Sequence, residues 1–237
     1  MFNVIRSIIF FIVGCVVTTI FGILVPLALP FGYNLAYDTA KLWGATILHL
    51  ARIICGLKYN VIGMENIPNF PCVSMAKHQS AWETVFILHT IPRAVWVIKR
   101  ELVFVPFIGW ALWGLRSIAI DRKSGKNAMS QIEEQGRDRL NRGMWVSIFP
   151  EGTRVPPGTR KRYGIGGAWL AAKTGTPILP IAHNAGEYWG KNAFFKTPGT
   201  IQVRIGPLIQ TQGREPSEVI AEVEQWIENE MVHITNK

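Results

Sequence analysis

From Ser7 to Val25 the chain carries no charged residue and reads SIIFFIVGCVVTTIFGILV. A helix needs about 20 apolar residues to cross the hydrocarbon core of a bilayer, so this run is long enough to span one. Arg6 precedes the run, which favours a cytoplasmic N-terminus. The apolar region is too long for a signal peptide, and no clean small-x-small cleavage site follows it. We therefore predict a segment that is retained and that attaches the protein to a membrane.

A second apolar stretch follows this first helix. Pro26 and Pro30 predict the end of the first helix, because proline lacks a backbone N–H and clashes with the preceding turn. The second stretch, roughly Tyr33 to Cys55, is interrupted by charged residues, as in a helix that lies at a membrane interface. Two arrangements stay open: a full span followed by an interfacial helix, or a two-helix hairpin that dips into one leaflet. A buried helix of a soluble domain is the third reading.

The pattern changes after Gly56, where short apolar runs begin to alternate with helical stretches. Seven runs between residues 58 and 205 predict strands, and five stretches predict helices. Such alternation is typical of an α/β fold. We predict a mixed, largely parallel sheet flanked by helices, preceded by an N-terminal helical membrane segment. The expected division is residues 1–57 for the membrane-associated helices and residues 58–237 for the α/β domain.

Charge and cysteine content narrow the possible partners. The net charge is +9, most of it after residue 57, so the polar part of the chain attracts polyanions. No basic helix or aromatic-basic sheet motif is present, which disfavours nucleic acid and leaves an anionic bilayer or a phosphorylated substrate. The three cysteines form no disulfide framework, which fits a reducing cytoplasmic setting. The histidines lack metal-ligand spacing, so we predict no metal site.

The residues KHQSAWE at 77–83 lie between a predicted strand and a predicted helix. His78 and Glu83 on one ideal helix would point about 140° apart, since each residue turns about 100°. They meet only if His78 precedes the helix and folds back over its first turn, with Ser80 as the N-cap. Glu83 would then fix the imidazole tautomer and leave the other ring nitrogen free as a base. A surface histidine near a capping glutamate is the alternative.

A second cluster, FPEGTR at 149–154, also follows a predicted strand. Gly152 allows close backbone approach to a ligand, and Arg154 can hold a phosphate through two hydrogen bonds. Glu151 would hold either Arg154 or a substrate hydroxyl. Lys99 and Arg122 stand at the ends of other predicted strands, so they join Arg154 as candidate cations for one anionic group. For each of these residues, a solvated surface charge is the alternative.

Together these motifs resemble the glycerolipid acyltransferase family, typified by 1-acyl-glycerol-3-phosphate acyltransferases. The resemblance covers about residues 58–210 and rests on four blocks in order: KHQSAWE at 77–83, the VPFIG…GLRSIAIDR region at 105–122, FPEGTR at 149–154 and ILPIAH at 178–183. The acidic partner of the histidine is commonly Asp in the family and is Glu83 here. Because glutamate is one methylene longer, we expect the backbone to retract slightly while the pairing is kept.

The resemblance implies a role for each site residue. His78 would deprotonate the acceptor hydroxyl with Glu83 behind it. Arg154, Lys99 and Arg122 would hold the acceptor phosphate. Glu151, Gly152 and Thr153 would shape the acceptor site, and Pro180 would lie on the acyl-donor side.

The reaction implied is transfer of a fatty acyl chain from a thioester of coenzyme A or acyl carrier protein to the 2-hydroxyl of lysophosphatidic acid, giving phosphatidic acid. A thioester is already electrophilic, so direct attack suffices without a metal or other cofactor. We expect backbone N–H groups at the start of the helix near Ala81 to bind the oxyanion. The expected setting is a bacterial-type inner membrane with anionic lipid and a cytoplasmic active site. The alternatives are another lysophospholipid or lipid A-type acceptor, or a non-catalytic module that binds anionic lipid.

Overall fold

The computed structural model describes residues 2–121 and 126–235 and begins with two long helices. Helix α1 spans Phe2–Ala28, and a 3₁₀ turn at Leu29–Phe31 joins it to α2, Tyr33–Cys55. Gly56 ends α2 with a φ of 69°, and its N–H bonds to the carbonyl of Arg52 at 3.1 Å. Glycine adopts this left-handed conformation at no steric cost, which makes it a common helix stop. The second helix therefore lies where the sequence predicted it.

The prediction that Pro26 ends the first helix is wrong, because α1 continues to Ala28. Proline removes the hydrogen bond that its own nitrogen would donate to the carbonyl four residues earlier. In the last turn of a helix this costs a single bond. The adjacent Val25 is 1% exposed, and its packing keeps the turn helical. Pro30 lies in the first turn of the 3₁₀ segment, where proline is tolerated.

The apolar surface of α1 is mostly uncovered. Among the described residues one helix, Asn3–Phe31, is long and apolar enough to cross a membrane, and 17% of its most apolar window is buried. Length and composition alone give weak support to membrane association, since signal sequences and buried helices share both properties.

Seven strands form one sheet in the order β1-β7-β6-β2-β5-β3-β4. Their bounds are β1 Leu57–Ile62, β2 Val73–Ala76, β3 Ala94–Lys99, β4 Ile118–Ile120, β5 Trp145–Ile148, β6 Ile178–His183 and β7 Gly199–Ile205. Neighbouring strands are parallel except β6 and β7. Strands β2 to β6 therefore point the same way, and their carboxyl ends meet at one edge. The predicted mixed, largely parallel sheet is confirmed.

Helices cover both sides of this sheet. The remaining helices are α3 Trp82–Thr90, α4 Ile108–Gly114, α5 Lys126–Asn141, α6 Gly166–Thr174, α7 Ala185–Tyr188 and α8 Pro216–Thr235. We call the side covered by α1 to α4 the first face, where Ala36, Phe86 and Trp96 join one core cluster. We call the side covered by α5, α6 and α8 the second face, where Ile132, Leu170 and Val219 join another. The four-residue helix α7 was not predicted, because one turn carries no periodicity.

Buried contacts join the N-terminal helices to the first face. The Tyr37 hydroxyl in α2 donates to the Ile91 carbonyl at 3.0 Å and accepts the Ala94 N–H at 2.8 Å. The backbone of α2 also approaches α3 closely at Gly44, where a β-carbon would lie 3.4 Å from the Val85 carbonyl oxygen. The predicted division into residues 1–57 and 58–237 stays a prediction.

Candidate active site

The KHQSAWE motif lies at the carboxyl edge of the sheet, in the turn between β2 and α3. His78 precedes the helix, and Glu83 lies in its first turn. The Nδ1 atom of His78 is 2.8 Å from Oε1 of Glu83. The histidine has therefore folded back over the helix start, as the spacing required.

Glu83 also caps α3, and this explains how the longer side chain is accommodated. Its Oε1 atom accepts the N–H of Ser80 at 2.8 Å and that of Gln79 at 2.9 Å. The Ser80 hydroxyl accepts the N–H of Trp82 at 3.0 Å. The bond from Glu83 back to the Ser80 N–H is one half of a capping box. The Ser80 hydroxyl accepts the Trp82 N–H and not that of Glu83, and the N-cap residue is Ala81, so the prediction of Ser80 as N-cap is wrong by one residue. The S-x-x-E spacing at 80–83 was therefore a signal that sequence reasoning missed.

Three backbone N–H groups at or just before the start of α3 are already engaged. The N–H groups of Gln79, Ser80 and Trp82 at the helix start already bond to the Glu83 carboxylate or the Ser80 hydroxyl. A donor engaged in this way has no free hydrogen for a substrate oxygen. The expectation that the start of this helix binds the oxyanion stays a prediction for the other N–H groups of its first turn.

The electrostatics fix the tautomer of His78. Burial raises the pKa of the Glu83 carboxyl, but the proximity of His183 and His78 and the donated hydrogen bonds outweigh burial, so the net shift is downward. An ionised carboxylate only accepts hydrogen bonds, which places a proton on Nδ1 of His78. The Nε2 atom is then the basic nitrogen. The ring stacks on Phe149 with centroids 3.9 Å apart and planes 8° apart, which holds its orientation.

A second histidine, His183, lies buried beneath the first at the end of β6. Its Nε2 atom is 2.8 Å from the Lys77 carbonyl, and its Nδ1 atom accepts the Ala185 N–H at 3.2 Å. This pattern leaves one donor and one acceptor, which is a neutral ring. Burial lowers the pKa of His183, in agreement with that pattern. Its Nε2 atom is also 3.9 Å from Oε2 of Glu83, too far for a hydrogen bond.

The FPEGTR motif follows β5, the strand beside β2, and contacts His78 through Glu151. The carboxylate of Glu151, a residue only 2% exposed, accepts the backbone N–H of His78 at 3.2 Å. The expectation that Glu151 holds Arg154 is wrong, because its cationic partner is Lys77, with Nζ at 3.4 Å. Burial raises the pKa of Glu151 to about 7 against the opposing charge of Lys77. Gly152 has a φ of 67°, and its N–H bonds to the Phe149 carbonyl at 3.0 Å to close the turn.

A cavity of about 360 Å³ opens beside His78 and extends across the first face. Its polar end carries His78, Lys99 and Arg154. Elsewhere the lining comes from α1 to α4 and β3, including Phe21, Gly22, Val25, Trp43, Leu88, Trp96, Phe107, Ala111 and Leu115. The aromatic side chains of Phe104, Trp110 and Trp113 in and beside α4 are 76%, 47% and 66% exposed.

The remaining predicted site residues lie at different depths. Arg154 is partly buried, and the Lys99 ammonium lies 3.0 Å from Glu101 at the surface. Gly152 and Thr153 are exposed on the turn after β5. Pro180 lies inside β6 opposite Met75 and does not line the cavity. Arg122 lies outside the described residues.

A metal site of this protein would need several His, Cys, Asp or Glu side chains close together. Residues 2–121 and 126–235 contain no group of three His, Cys, Asp or Glu side chains that could hold a metal ion. The expected lack of a metal stays a prediction.

Comparisons with known proteins bear on both the sequence and the fold. A family model described as acyltransferase matches residues 58–184. A Pseudomonas aeruginosa protein named 1-acyl-sn-glycerol-3-phosphate acyltransferase is 47% identical over 196 residues, 81% of this chain and 76% of that protein. A Mus musculus protein named 1-acyl-sn-glycerol-3-phosphate acyltransferase alpha is 32% identical over 188 residues, 78% of this chain and 66% of that protein.

A solved structure shares the fold over nearly the full length. The crystal structure of the 1-acyl-sn-glycerophosphate acyltransferase from Thermotoga maritima aligns with a TM-score of 0.83 and 21% identity, covering 99% of this chain and 97% of that one. At this identity the likeness shows the fold alone. The matched family model and the relative from Pseudomonas aeruginosa go further, and from them it follows that this chain belongs to the acyltransferase family.

Proposed function

We propose that this acyltransferase moves a fatty acyl chain from an acyl thioester to the free 2-hydroxyl of lysophosphatidic acid, giving phosphatidic acid. The observation that carries the proposal is the His78–Glu83 pair, 2.8 Å apart, at the polar end of an apolar cavity that also holds Arg154. This arrangement provides a base, a cation for a phosphate and an apolar wall for a chain. The names of the Pseudomonas aeruginosa and Mus musculus relatives support this choice of acceptor.

In the proposed reaction His78 is the general base. Its Nε2 atom takes the proton of the acceptor hydroxyl while Glu83 stabilises the imidazolium that forms. The hydroxyl oxygen attacks the thioester carbonyl, the tetrahedral intermediate loses the thiolate, and the imidazolium returns the proton to the sulfur. General base catalysis of this kind contributes about 10²–10⁴-fold. The carbonyl is electrophilic without a Lewis acid, so the proposed step uses no metal or other cofactor.

Arg154 is the proposed anchor for the acceptor phosphate. It lines the polar end of the cavity together with His78, and no ion pair of Arg154 is found within residues 2–121 and 126–235. A guanidinium binds phosphate through two parallel hydrogen bonds, which fixes position as well as charge. Lys99 adds a second cation at the cavity, and Arg122 remains a predicted third. Glu151, Gly152 and Thr153 form the proposed acceptor turn.

The acyl donor is proposed to be a thioester of coenzyme A or acyl carrier protein. Its chain would lie along the apolar wall of the cavity, where water is excluded from the carbonyl. Pro180 lies within the sheet, so a role for it on the donor side would act through the position of β6.

We also propose that α1 lies within one leaflet and does not cross the membrane. Near its start, the Ser7 hydroxyl accepts the backbone N–H of Lys196 at 3.0 Å. The ring of Phe10 packs edge-on against that of Trp189, with centroids 5.3 Å apart. Near its end, a β-carbon at Gly22 would lie 2.7 Å from the β-carbon of Phe107. A helix that contacts the α/β domain near both ends cannot reach the far side of a bilayer. This favours the two-helix hairpin over the full span.

The proposed location is a bacterial-type inner membrane with the site on its cytoplasmic side. Arg6 near the start of α1 and the unpaired state of the three cysteines support it. The net charge of +9 fits a surface rich in anionic lipid.

An acceptor panel tests the proposal. Purified full-length protein in phosphatidylglycerol–phosphatidylethanolamine vesicles is given a labelled acyl-coenzyme A or acyl carrier protein. Lysophosphatidic acid, lysophosphatidylcholine, lysophosphatidylethanolamine and a lipid A precursor are each supplied as acceptor. We expect labelled phosphatidic acid with the highest kcat/KM. A higher kcat/KM on another acceptor would overturn the substrate assignment, and vesicle binding without transfer to any acceptor would make the chain a lipid-binding module.

A further inference from the structure

A group of buried charges lies behind the His78 turn, on the second face. Successive residues at the end of a strand point to opposite sides of the sheet, so Lys77 faces α8 while His78 faces the cavity. Lys77 is 1% exposed. Its ammonium lies 2.6 Å from Oε1 of Glu228 in α8 and 3.4 Å from Oε1 of Glu151. One buried cation is therefore shared between two carboxylates.

Two further groups complete this cluster. The Tyr163 hydroxyl donates to the same Oε1 atom of Glu228 at 2.9 Å. The Lys161 ammonium donates to the backbone carbonyl of Glu151 at 2.6 Å. Glu228 thus accepts two hydrogen bonds from the turn regions that carry the site, although it belongs to the C-terminal helix. Glu228 is not among the residues that line the cavity.

The cluster reaches the proposed base through the backbone. The same Oε1 atom of Glu151 that faces Lys77 accepts the N–H of His78 at 3.2 Å. The path therefore runs from Glu228 to Lys77, from Lys77 to Glu151, and from Glu151 to the backbone of His78. Each step is a contact between groups that are buried or largely buried.

The unequal distances around Lys77 suggest what Glu228 does. An ammonium and a carboxylate that pair without competition lie about 2.7–2.9 Å apart. The Lys77–Glu151 distance of 3.4 Å is longer, and the Lys77–Glu228 distance of 2.6 Å shows where the ammonium is held. Without the Glu228 charge, Lys77 would close on Glu151 and draw its carboxylate away from the His78 N–H. The ring of His78 would then shift relative to Glu83 and Phe149.

We propose that Glu228 is a positioning residue for acyl transfer, which acts on His78 through Lys77 and Glu151. This rests on the proposed role of His78 as the base. It predicts that loss of the Glu228 charge slows the chemical step while substrate binding changes little, since the groups that would hold the phosphate stay in place.

Helix α8 supplies a matched control one turn earlier. Glu224 pairs with Arg160 at 3.0 Å, and Arg160 is 66% exposed. Both glutamates bond to the same connecting segment after β5, but Glu224 has no link to Lys77 among the described contacts. Glu224→Gln therefore removes a comparable charge from the same helix without touching the path to His78.

The experiment compares Glu228→Gln, Glu224→Gln and wild type as full-length proteins in the same vesicles. We expect Glu228→Gln to lower kcat about tenfold, which corresponds to about 1.4 kcal/mol, with the KM for the acceptor within about twofold of wild type. Glu224→Gln should leave both parameters at wild-type values. An unchanged kcat in Glu228→Gln, or a change in KM alone, would overturn the proposal.

A double-mutant cycle separates positioning from general stabilisation. If Glu228 acts through Lys77, then Glu228→Gln has no further effect on kcat in a Lys77→Met background. Effects that multiply would overturn the proposal. If Glu228→Gln fails to fold, Tyr163→Phe tests the proposal instead. This variant removes one hydrogen bond to Glu228 without removing a charge. We expect it to lower kcat two- to threefold, about 0.5 kcal/mol. No loss of kcat in that variant would then count against the proposal.

Two different measurements test this inference and the proposed function. Activity of wild type on lysophosphatidic acid tests the acceptor, and the ratio of variant to wild type tests Glu228. If wild type prefers a different acceptor, the same ratio is measured on that acceptor.

Discussion

The two faces of the sheet share the same strands but are covered in opposite ways. On the first face, α1 and α4 are apolar both where they pack against other helices and where they face outward. Phe31 and Phe104 beside them and Trp113 in α4 are 80%, 76% and 66% exposed. On the second face, α5 carries surface ion pairs such as Glu133 with Arg137 at 3.2 Å. Helices that hide apolar groups on one side only are typical of a water-facing surface.

The active-site turn lies where these two environments meet. Lys77 points to the charged cluster on the second face, and His78 points to the apolar cavity on the first. We propose that the buried charges on one side orient the turn and that the apolar cavity on the other receives a lipid chain. In this arrangement the charged side of the turn would orient the base, and the apolar side would receive the lipid substrate.

The largest effect is expected when the carboxylate behind His78 is neutralised. Glu83→Gln keeps the shape of the side chain but loses the charge that stabilises the imidazolium, so we expect kcat to fall about 10²–10⁴-fold. Steady-state transfer assays with the acceptor varied measure this. Ser80→Ala is the comparison, since losing the cap hydroxyl costs about 1 kcal/mol of stability without removing a charge. Similar losses of kcat in both variants would show that Glu83 matters only as a cap.

A smaller effect is expected at the polar end of the cavity. Arg154→Ala removes hydrogen bonds to phosphate worth about 1.5–3 kcal/mol, so the KM for the acceptor should rise about 10- to 100-fold. Arg162→Ala, at an exposed position in the following loop, should leave KM unchanged. A rise confined to the KM of the acyl donor would contradict the assignment of Arg154 to the acceptor phosphate.

The wall between α1 and α4 should tolerate little added volume. In Gly22→Ala the new β-carbon would lie 2.7 Å from the β-carbon of Phe107 and 2.9 Å from its carbonyl oxygen. Overpacking of this kind costs about 1–3 kcal/mol, and moving α4 would alter the cavity. We expect a lower thermal midpoint and a kcat/KM reduced by several-fold, about 1 kcal/mol.

Gly14 provides the control for that wall. It lies in the same helix, and a β-carbon there would meet nothing within 4 Å. Gly14→Ala should leave activity unchanged and raise helix stability by up to about 1 kcal/mol. If Gly22→Ala behaved like Gly14→Ala, the close contact between α1 and α4 would be of no consequence for the site.

The smallest effect is expected for exposed side chains on the two faces. Trp113→Ser should weaken binding to anionic vesicles by roughly 1 kcal/mol, about fivefold, because tryptophan favours the membrane interface. Val232→Ser, at a position in α8 that is 59% exposed, should not change vesicle binding. Co-sedimentation with vesicles measures both. Equal losses would contradict the assignment of the first face to lipid.

Local pattern was enough to predict most of the fold. Each of the seven apolar runs between residues 58 and 205 forms a strand of the sheet. Apolar runs that alternate with helical stretches are typical of strands that are buried on both faces of a parallel sheet. The spacing of His78 and Glu83 showed only that they can pair if His78 precedes the helix. The resemblance to the acyltransferase family favoured that arrangement over a surface histidine. The prediction that the first helix ends at Pro26 was wrong, because the burial of the neighbouring Val25 depends on residues distant in sequence.

The contacts that sequence could not reveal are those between distant residues. Lys77 and Glu228 are separated by 151 positions, and nothing in either local pattern announces the pair. The sequence offered Arg154, a near neighbour, or a substrate hydroxyl as the partner of Glu151, but its cationic partner in the structure is Lys77. The cavity likewise forms between helices from four parts of the chain.

The most direct test of the account compares labelled acyl transfer to lysophosphatidic acid by wild type, His78→Ala and His233→Ala in the same vesicles. His233 lies exposed on α8, away from the cavity. We expect His78→Ala to lose transfer almost completely while it still co-sediments with the vesicles. We expect His233→Ala to transfer the acyl chain at the wild-type rate. Transfer by His78→Ala at a rate near that of wild type would contradict the account.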